Sequence, residues 1–304
     1  MGWSALKLGL ITPQGWTGEY DGWDPGVAWQ RTVAVARRAE ALGFESVWLF
    51  DHFHTVPKPT DEITFESFTS LSALAALTER VRVGQIVICN GFRNPALTAK
   101  MAGTLDTISN GRFDLGIGAG WKRDEWLAYG YGYPETRVRL DMLRDGLEVI
   151  TRMLAPGREH ATFEGEHASV RNAINLPKGN QETRIPIMVG GNGPNVTWRL
   201  AARFADELNV DGLSPDQLRE ALPVIRSRCE EIDRDPDSLA VSLHAWWGEP
   251  AWSTAGDRRS AYLAELADLG LSRVIGLLQA SADSDEPIVA LAEDARAAGL
   301  TLAG

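Results

Sequence analysis

The sequence predicts a single (β/α)8 TIM barrel with one insertion, between the fourth and fifth strands, and three observations predict it. Short, nearly all-apolar runs alternate with helical stretches along most of the 304 residues. Strands of that kind belong to a parallel sheet covered on both faces. Eight strand–helix units can be counted, which favours a closed ring over a doubly wound open sheet. Finally, no repeat, low-complexity segment or linker divides the chain, so residues 1–304 read as one domain.

Lys7 to Ile11 is the first strand, and Pro25 to Leu42 the first helix, stopped at Gly43. Ser46 to Phe50 is the second strand and Ser67 to Thr78 its helix. Val81 to Ile88 is the third strand, followed by a helix that opens at Pro95, a favoured first-turn position. Arg112 to Gly118 is the fourth. The rhythm then breaks over residues 121–185, which hold a short helix, a longer one from Thr136 to Met153 and an irregular polar stretch. It resumes with strand Ile185–Val189, helix Pro194–Phe204, strand Glu207–Val210 and helix Pro215–Ile232. Strand Leu239–His244, helix Asp257–Leu269, strand Ser272–Leu278 and helix Pro287–Ala298 complete the pattern.

Thirty basic residues stand against 41 acidic ones, a net charge of −11, and no basic stripe interrupts this acidity, which argues against nucleic-acid binding. Cys89 and Cys229 are the only cysteines, too few for a disulfide framework and suited to a reducing cytoplasm. No secretory leader pattern precedes the first strand, and no apolar run approaches the roughly 18 residues of a membrane span. The chain therefore reads as soluble and intracellular, a protein of the cytoplasm.

Functional groups of such barrels gather at the C-terminal ends of the strands. Asp51 and His52 stand at the end of the second. His52 is either a proton donor and acceptor near neutral pH or a structural histidine bonded to a neighbouring carbonyl. Gly190-Gly-Asn-Gly193 lies between the fifth strand and its helix, where backbone amides and a helix N-terminus would suit a phosphate; the alternative is a tight turn. Gly116-Ile-Gly-Ala-Gly120 resembles a dinucleotide fingerprint only in part, because Trp121 occupies the third glycine position. His54 and His244 add imidazoles near strand ends, but no His/Asp/Glu spacing makes a metal set. Glu66, Trp121 and Glu125 lie just beyond strand ends, where they either act or cap and solvate. His244-Ala-Trp-Trp247 ends the seventh strand with rings that either wall a cofactor or pack the rim. No G-x-S-x-G elbow supports a serine hydrolase.

Several stretches, in order, resemble the bacterial-luciferase-like family of flavin- and deazaflavin-dependent oxidoreductases. They are Ser46 to Phe53, Asn94 to Arg112 running into Phe113 to Trp121, Phe163-Glu-Gly-Glu-His167, Met188 to Pro194, and Leu200 to Asp206. The match spans about residues 6–245 and is closest to the coenzyme F420-dependent branch. The resemblance implies a cofactor at the C-terminal rim and a non-prolyl cis peptide in the third strand, placed at Ile86-Val87. It implies that Asp51, Ile86, Val87, Asn90, Gly190, Gly191, Asn192 and Gly193 contact the cofactor, and that Trp246 or Trp247 flanks its ring. His52 is then the acid/base or electrostatic partner.

Relatives of the sugar-phosphate dehydrogenase type place a glutamate just after the fourth strand's glycines. Trp121 stands there in this chain, so the acid is either missing or moved to Glu125. Glu207, where many relatives have glycine, is expected to alter the cofactor-side wall. The expected activity is hydride transfer between F420 and an organic substrate. The alternatives are an FMNH2- and oxygen-dependent monooxygenase and a non-catalytic flavin or deazaflavin binder. Trp16, Phe53, Phe68 and Trp121 suggest a bulky, partly apolar substrate, and the resemblance implies a homodimer.

Overall fold

The computed structural model describes residues 6–157 and 159–302. In chain order the first half comprises β1 (Lys7–Ile11), α1 (Pro25–Leu42), β2 (Ser46–Leu49), α2 (Ser67–Leu77), β3 (Arg82–Gln85), β4 (Ile88–Cys89), α3 (Pro95–Ile108) and β5 (Phe113–Gly118). Then come α4 (Arg123–Ala128), α5 (Thr136–Leu154) and a hairpin of β6 (Ala161–Glu164) and β7 (Ser169–Ala173). The second half comprises β8 (Ile187–Gly190), α6 (Thr197–Phe204), β9 (Glu207–Asp211), α7 (Pro215–Glu230), β10 (Ala240–Ala245), α8 (Pro250–Ser253), α9 (Asp257–Asp268), β11 (Arg273–Leu277) and α10 (Glu286–Ala297).

Eight parallel strands close into a ring: β1 lies between β2 and β11, and the order continues through β10, β9, β8 and β5. Closure comes from β3 against β5, with Val83 opposite Phe113 and Gly84 opposite Asp114. The predicted third strand is broken. After Gln85 the Ile86-Val87 peptide is cis, as expected, and the short β4 rejoins the end of β5 through Ile88 opposite Ile117 and Cys89 opposite Gly118. The insertion is more ordered than predicted: its polar stretch forms the antiparallel β6–β7 ribbon beside the barrel.

Local chemistry sets the element ends. Asp24 caps α1 by accepting from the Val27 amide, with Pro25 in the first turn, and Gly43 ends it at φ 89°, a left-handed conformation that suits glycine.

Side chains alternate in and out along each strand, so the barrel interior is built in layers. Trp48, Met188 and Ile275 fill its middle. The large Trp48 ring fits there because Gly9 and Gly84 face it; a Cβ on Gly9 would lie 2.8 Å from the indole nitrogen. Below, at the N-terminal strand ends, lies a layer of buried charge. Arg273 reaches Asp114 at 3.2 Å, Glu45 at 3.2 Å and Glu207 at 3.6 Å, and Arg82 clasps the same Asp114. Glu207 therefore corrects the sequence reading: it opens β9 at the end of the barrel opposite the glycine rim and cannot shape a wall there. Burial raises its pKa, and the Arg273 charge only partly opposes this.

Candidate active site

The C-terminal strand ends enclose a cavity of about 280 Å³. Every barrel strand but β11 contributes a wall residue from its end or the loop beyond it, β1 through Trp16. Alternation explains part of this: Asn209 and Asp211 on β9 are two apart and both point into the cavity, and on β10 His244 reaches it two residues after the inward-facing Ser242.

At the end of β2, His52 donates to or accepts from Glu125 across 2.7 Å, from Nδ1 to Oε2. The second Glu125 oxygen accepts the Phe53 amide at 2.9 Å, and the carboxylate is fully buried on α4. The His52 ring stacks flat on Trp16, centroids 4.1 Å apart with an interplanar angle of 1°, while Trp121 approaches edge-on at 5.9 Å. The imidazole is thus held by a carboxylate partner and two indoles, with Nε2 left for the cavity. Glu125 is the position to which the sequence allowed the acid to have moved, and the fold brings it to His52 across 73 residues of chain.

Asp51 lies beside them but is committed to the protein. Its carboxylate accepts from Arg93 at 2.7 and 2.8 Å, from the Cys89 amide at 2.9 Å and from the Ser67 hydroxyl at 3.1 Å. These four donors tie β2 to the strand break at Ile86-Val87. Cys89 itself remains a thiol: burial, with the nearby Asp51 charge, pushes its pKa up to about 12.

Ile86 and Val87 line the cavity, and the Val87 side chain packs across two bare glycines. A Cβ on Gly118 or on Gly190 would each come within 2.9 Å of its methyls. Gly190 and Gly191 also line the cavity, with Thr197 beyond them. Three expected contacts lie elsewhere. Asn90 turns to α5, donating to the Met142 carbonyl at 3.0 Å. Asn192 brackets the backbone of Asp211, donating to its carbonyl at 2.7 Å and accepting its amide at 2.8 Å. Gly193 is outside the wall, and α6 begins at Thr197 rather than Pro194, so the glycine cluster stands further from a helix N-terminus than the sequence suggested.

Trp246 stacks on Trp247 with centroids 4.9 Å apart, and both line the cavity. Thr197, Asn209 and Asp211 line the cavity without having been expected there, and His244, unassigned by the sequence, joins them. The signal that could have found Asn209, Asp211 and His244 is a polar residue at every second position of an otherwise apolar strand. Among the described residues no group of three His, Cys, Asp or Glu side chains could hold a metal ion, and no helix is long and apolar enough to cross a membrane.

A family model for luciferase-like monooxygenases matches residues 8–269, the stretch that holds every residue walling this rim-facing cavity of glycines, aromatic rings and a histidine–carboxylate pair. The chain belongs to the luciferase-like monooxygenase family. Within that family it is 32% identical over 257 residues to an F420-dependent glucose-6-phosphate dehydrogenase of Kineococcus radiotolerans, covering 77% of this chain and 74% of the relative. Its luciferase-like barrel also resembles that of an F420-dependent secondary alcohol dehydrogenase solved with an F420–acetone adduct. The TM-score is 0.77 at 20% identity, over 94% of this chain and 99% of that one. A riboflavin lyase solved with modified FMN and riboflavin gives a TM-score of 0.76 at 14% identity, over 99% and 93%.

Proposed function

We propose that this family member is an F420-dependent oxidoreductase acting on a small organic substrate, with His52 and Glu125 as its proton-handling pair. The observation that carries the reading is the buried Glu125 carboxylate 2.7 Å from His52, beside a cavity whose floor is the Ile86-Val87 break. The 32% identical relative named for F420 supports the cofactor assignment over FMN, which has support only from folds below 25% identity.

The residues fit a flat, tricyclic cofactor. Gly118 and Gly190 lack the Cβ atoms that would push Val87 inward, and indoles of Trp246 and Trp247 offer apolar walls. Ile86, Val87, Gly190, Gly191 and Trp246 would hold it, while Asp51 supports the break from behind. When bound, F420 supplies two-electron hydride chemistry, which leaves the protein to orient the substrate and handle one proton.

His52 performs that task at Nε2. Its Nδ1 faces the Glu125 carboxylate, so the imidazolium formed on taking a proton is stabilised where it stands. Trp16 fixes the plane of the ring. Side-by-side dissociation constants for F420 and FMN test the cofactor, and tight FMN with weak F420 binding would overturn it. We further propose a homodimer in the reducing cytoplasm, consistent with two buried free thiols; light scattering showing a monomer at working concentration would refute the dimer.

A further inference from the structure

A second histidine–carboxylate pair faces the same cavity and has no part in the scheme above. His244 Nδ1 lies 2.9 Å from Asp211 Oδ1, and the same oxygen accepts from Trp246 Nε1 at 2.7 Å. Asn192 clamps the Asp211 backbone from the far side. Burial opposes ionisation of Asp211, but the bonds from His244 and Trp246 prevail and hold its carboxyl below the usual range. An ionised Asp211 favours the His244 proton on Nδ1 and leaves Nε2 as the acceptor.

That Nε2 is buried and has no partner, on a side chain only 9% exposed. Around it stand aromatic rings: Phe50 at 5.6 Å, Trp246 at 6.0 Å and Trp247 at 6.5 Å between centroids. A lone nitrogen acceptor set in an aromatic wall suits a hydrogen-bond donor carried on a flat ring, and the hydroxyl of an aromatic ring is such a donor. Left without it, the nitrogen pays the cost of an unmatched buried polar atom.

We infer that His244 receives the ring hydroxyl of the deazaflavin and thereby makes the site prefer the deazaflavin to an ordinary flavin. The inference rests on the F420 reading of the cavity. The deazaflavin carries a hydroxyl on its benzenoid ring where flavins carry a methyl. One proton is shared between that oxygen and Nε2, with Asp211 stabilising the imidazolium when His244 holds it. A methyl group in the same place leaves Nε2 unpaired, and sites built to bond a hydroxyl discriminate strongly against analogues without one. An aromatic hydroxyl on a substrate has the same chemistry, and the test separates the two sources.

The probes are F420 itself and a matched pair, the deazariboflavin core of F420 and riboflavin, which share the ribityl chain. Quenching titrations are run on the wild-type chain, His244→Phe and His244→Gln, with melting curves to confirm folding. The wild type should bind the core at least tenfold more tightly than riboflavin. That ratio should collapse to within about threefold in His244→Phe and be partly kept in His244→Gln, whose amide can still bond the hydroxyl. The pH at which the bound hydroxyl ionises, read from the visible absorbance, should rise by about one unit in His244→Phe. An unchanged ratio and an unmoved ionisation in His244→Phe overturn the inference, and so assign the dyad to a substrate hydroxyl or to structure. A wild type that prefers riboflavin also overturns it. Failure of the wild type to bind F420 at all instead refutes the function proposed above.

Discussion

Glu125 Oε2 lies 2.7 Å from His52 Nδ1, so an acid on α4 and an imidazole beyond β2 act as one unit in the barrel mouth. Replacing Glu125 with Gln keeps the shape and removes the charge that stabilises the imidazolium. Turnover with F420 should fall by about 10²-fold, the low end of general acid–base contributions, while the F420 dissociation constant changes little. Steady-state kinetics beside fluorescence titration checks this, and equal losses in both would make Glu125 a binding residue.

His52→Gln should lose turnover to a similar degree as Glu125→Gln, and the double variant should be no slower than either alone. Groups that act as a unit are strongly non-additive. Additive losses in the double-mutant cycle would show that the two work separately.

Gly190→Ala places a Cβ about 2.9 Å from the Val87 methyls. Val87 must move toward the cavity, so F420 affinity should drop by about tenfold, roughly 1.4 kcal/mol. The melting temperature should shift only slightly, because the relief lies in open space. Titration with F420 measures the first, and thermal melting the second.

Arg93 is the counter-charge of buried Asp51, through paired bonds of 2.7 and 2.8 Å. Arg93→Met leaves that carboxylate uncompensated and should destabilise the fold by about 3–5 kcal/mol. Urea unfolding reads the loss. The double variant Arg93→Met with Asp51→Asn should recover part of it.

Asp114 governs the acid limit at the opposite end of the barrel. Burial alone would raise its pKa, but Arg273 and Arg82 outweigh burial and hold the folded carboxyl below its ordinary value. A depressed folded pKa means stability that is present above the unfolded value, near 3.9, and lost as pH falls through the folded one. Asp114→Asn should therefore be less stable than wild type at neutral pH, with the gap narrowing in acid. Unfolding midpoints between neutral pH and about pH 3 would show it; a constant gap would contradict the assignment.

Much of the barrel was legible because strand and helix periods differ and the apolar runs are unambiguous. The ends of β1, α1 and β5 lie within a residue or two of where the sequence put them. The insertion's ribbon was not legible: Ser169 to Ala173 is too polar and exposed to read as a strand, and it pairs only because β6 lies alongside. Residues at strand ends were half legible. Asp51, His52, Ile86, Val87, Gly190, Gly191 and Trp246 do line the cavity, whereas Asn90, Asn192 and Gly193 do not. Neighbours in sequence point to opposite faces, and a loop can turn a side chain either way, so proximity along the chain does not set direction.

The alternating apolar pattern by itself determined an eight-stranded parallel barrel and the rim at which its chemistry had to sit, because strands buried on both faces admit few other arrangements. Only the tertiary structure decided which polar groups meet. Glu125 on α4 reaches His52 beyond β2, and Asp211 on β9 reaches His244 on β10, while Glu207 is carried to the far end. Such pairings depend on ring closure and on the direction each side chain leaves its strand, and no single segment encodes either.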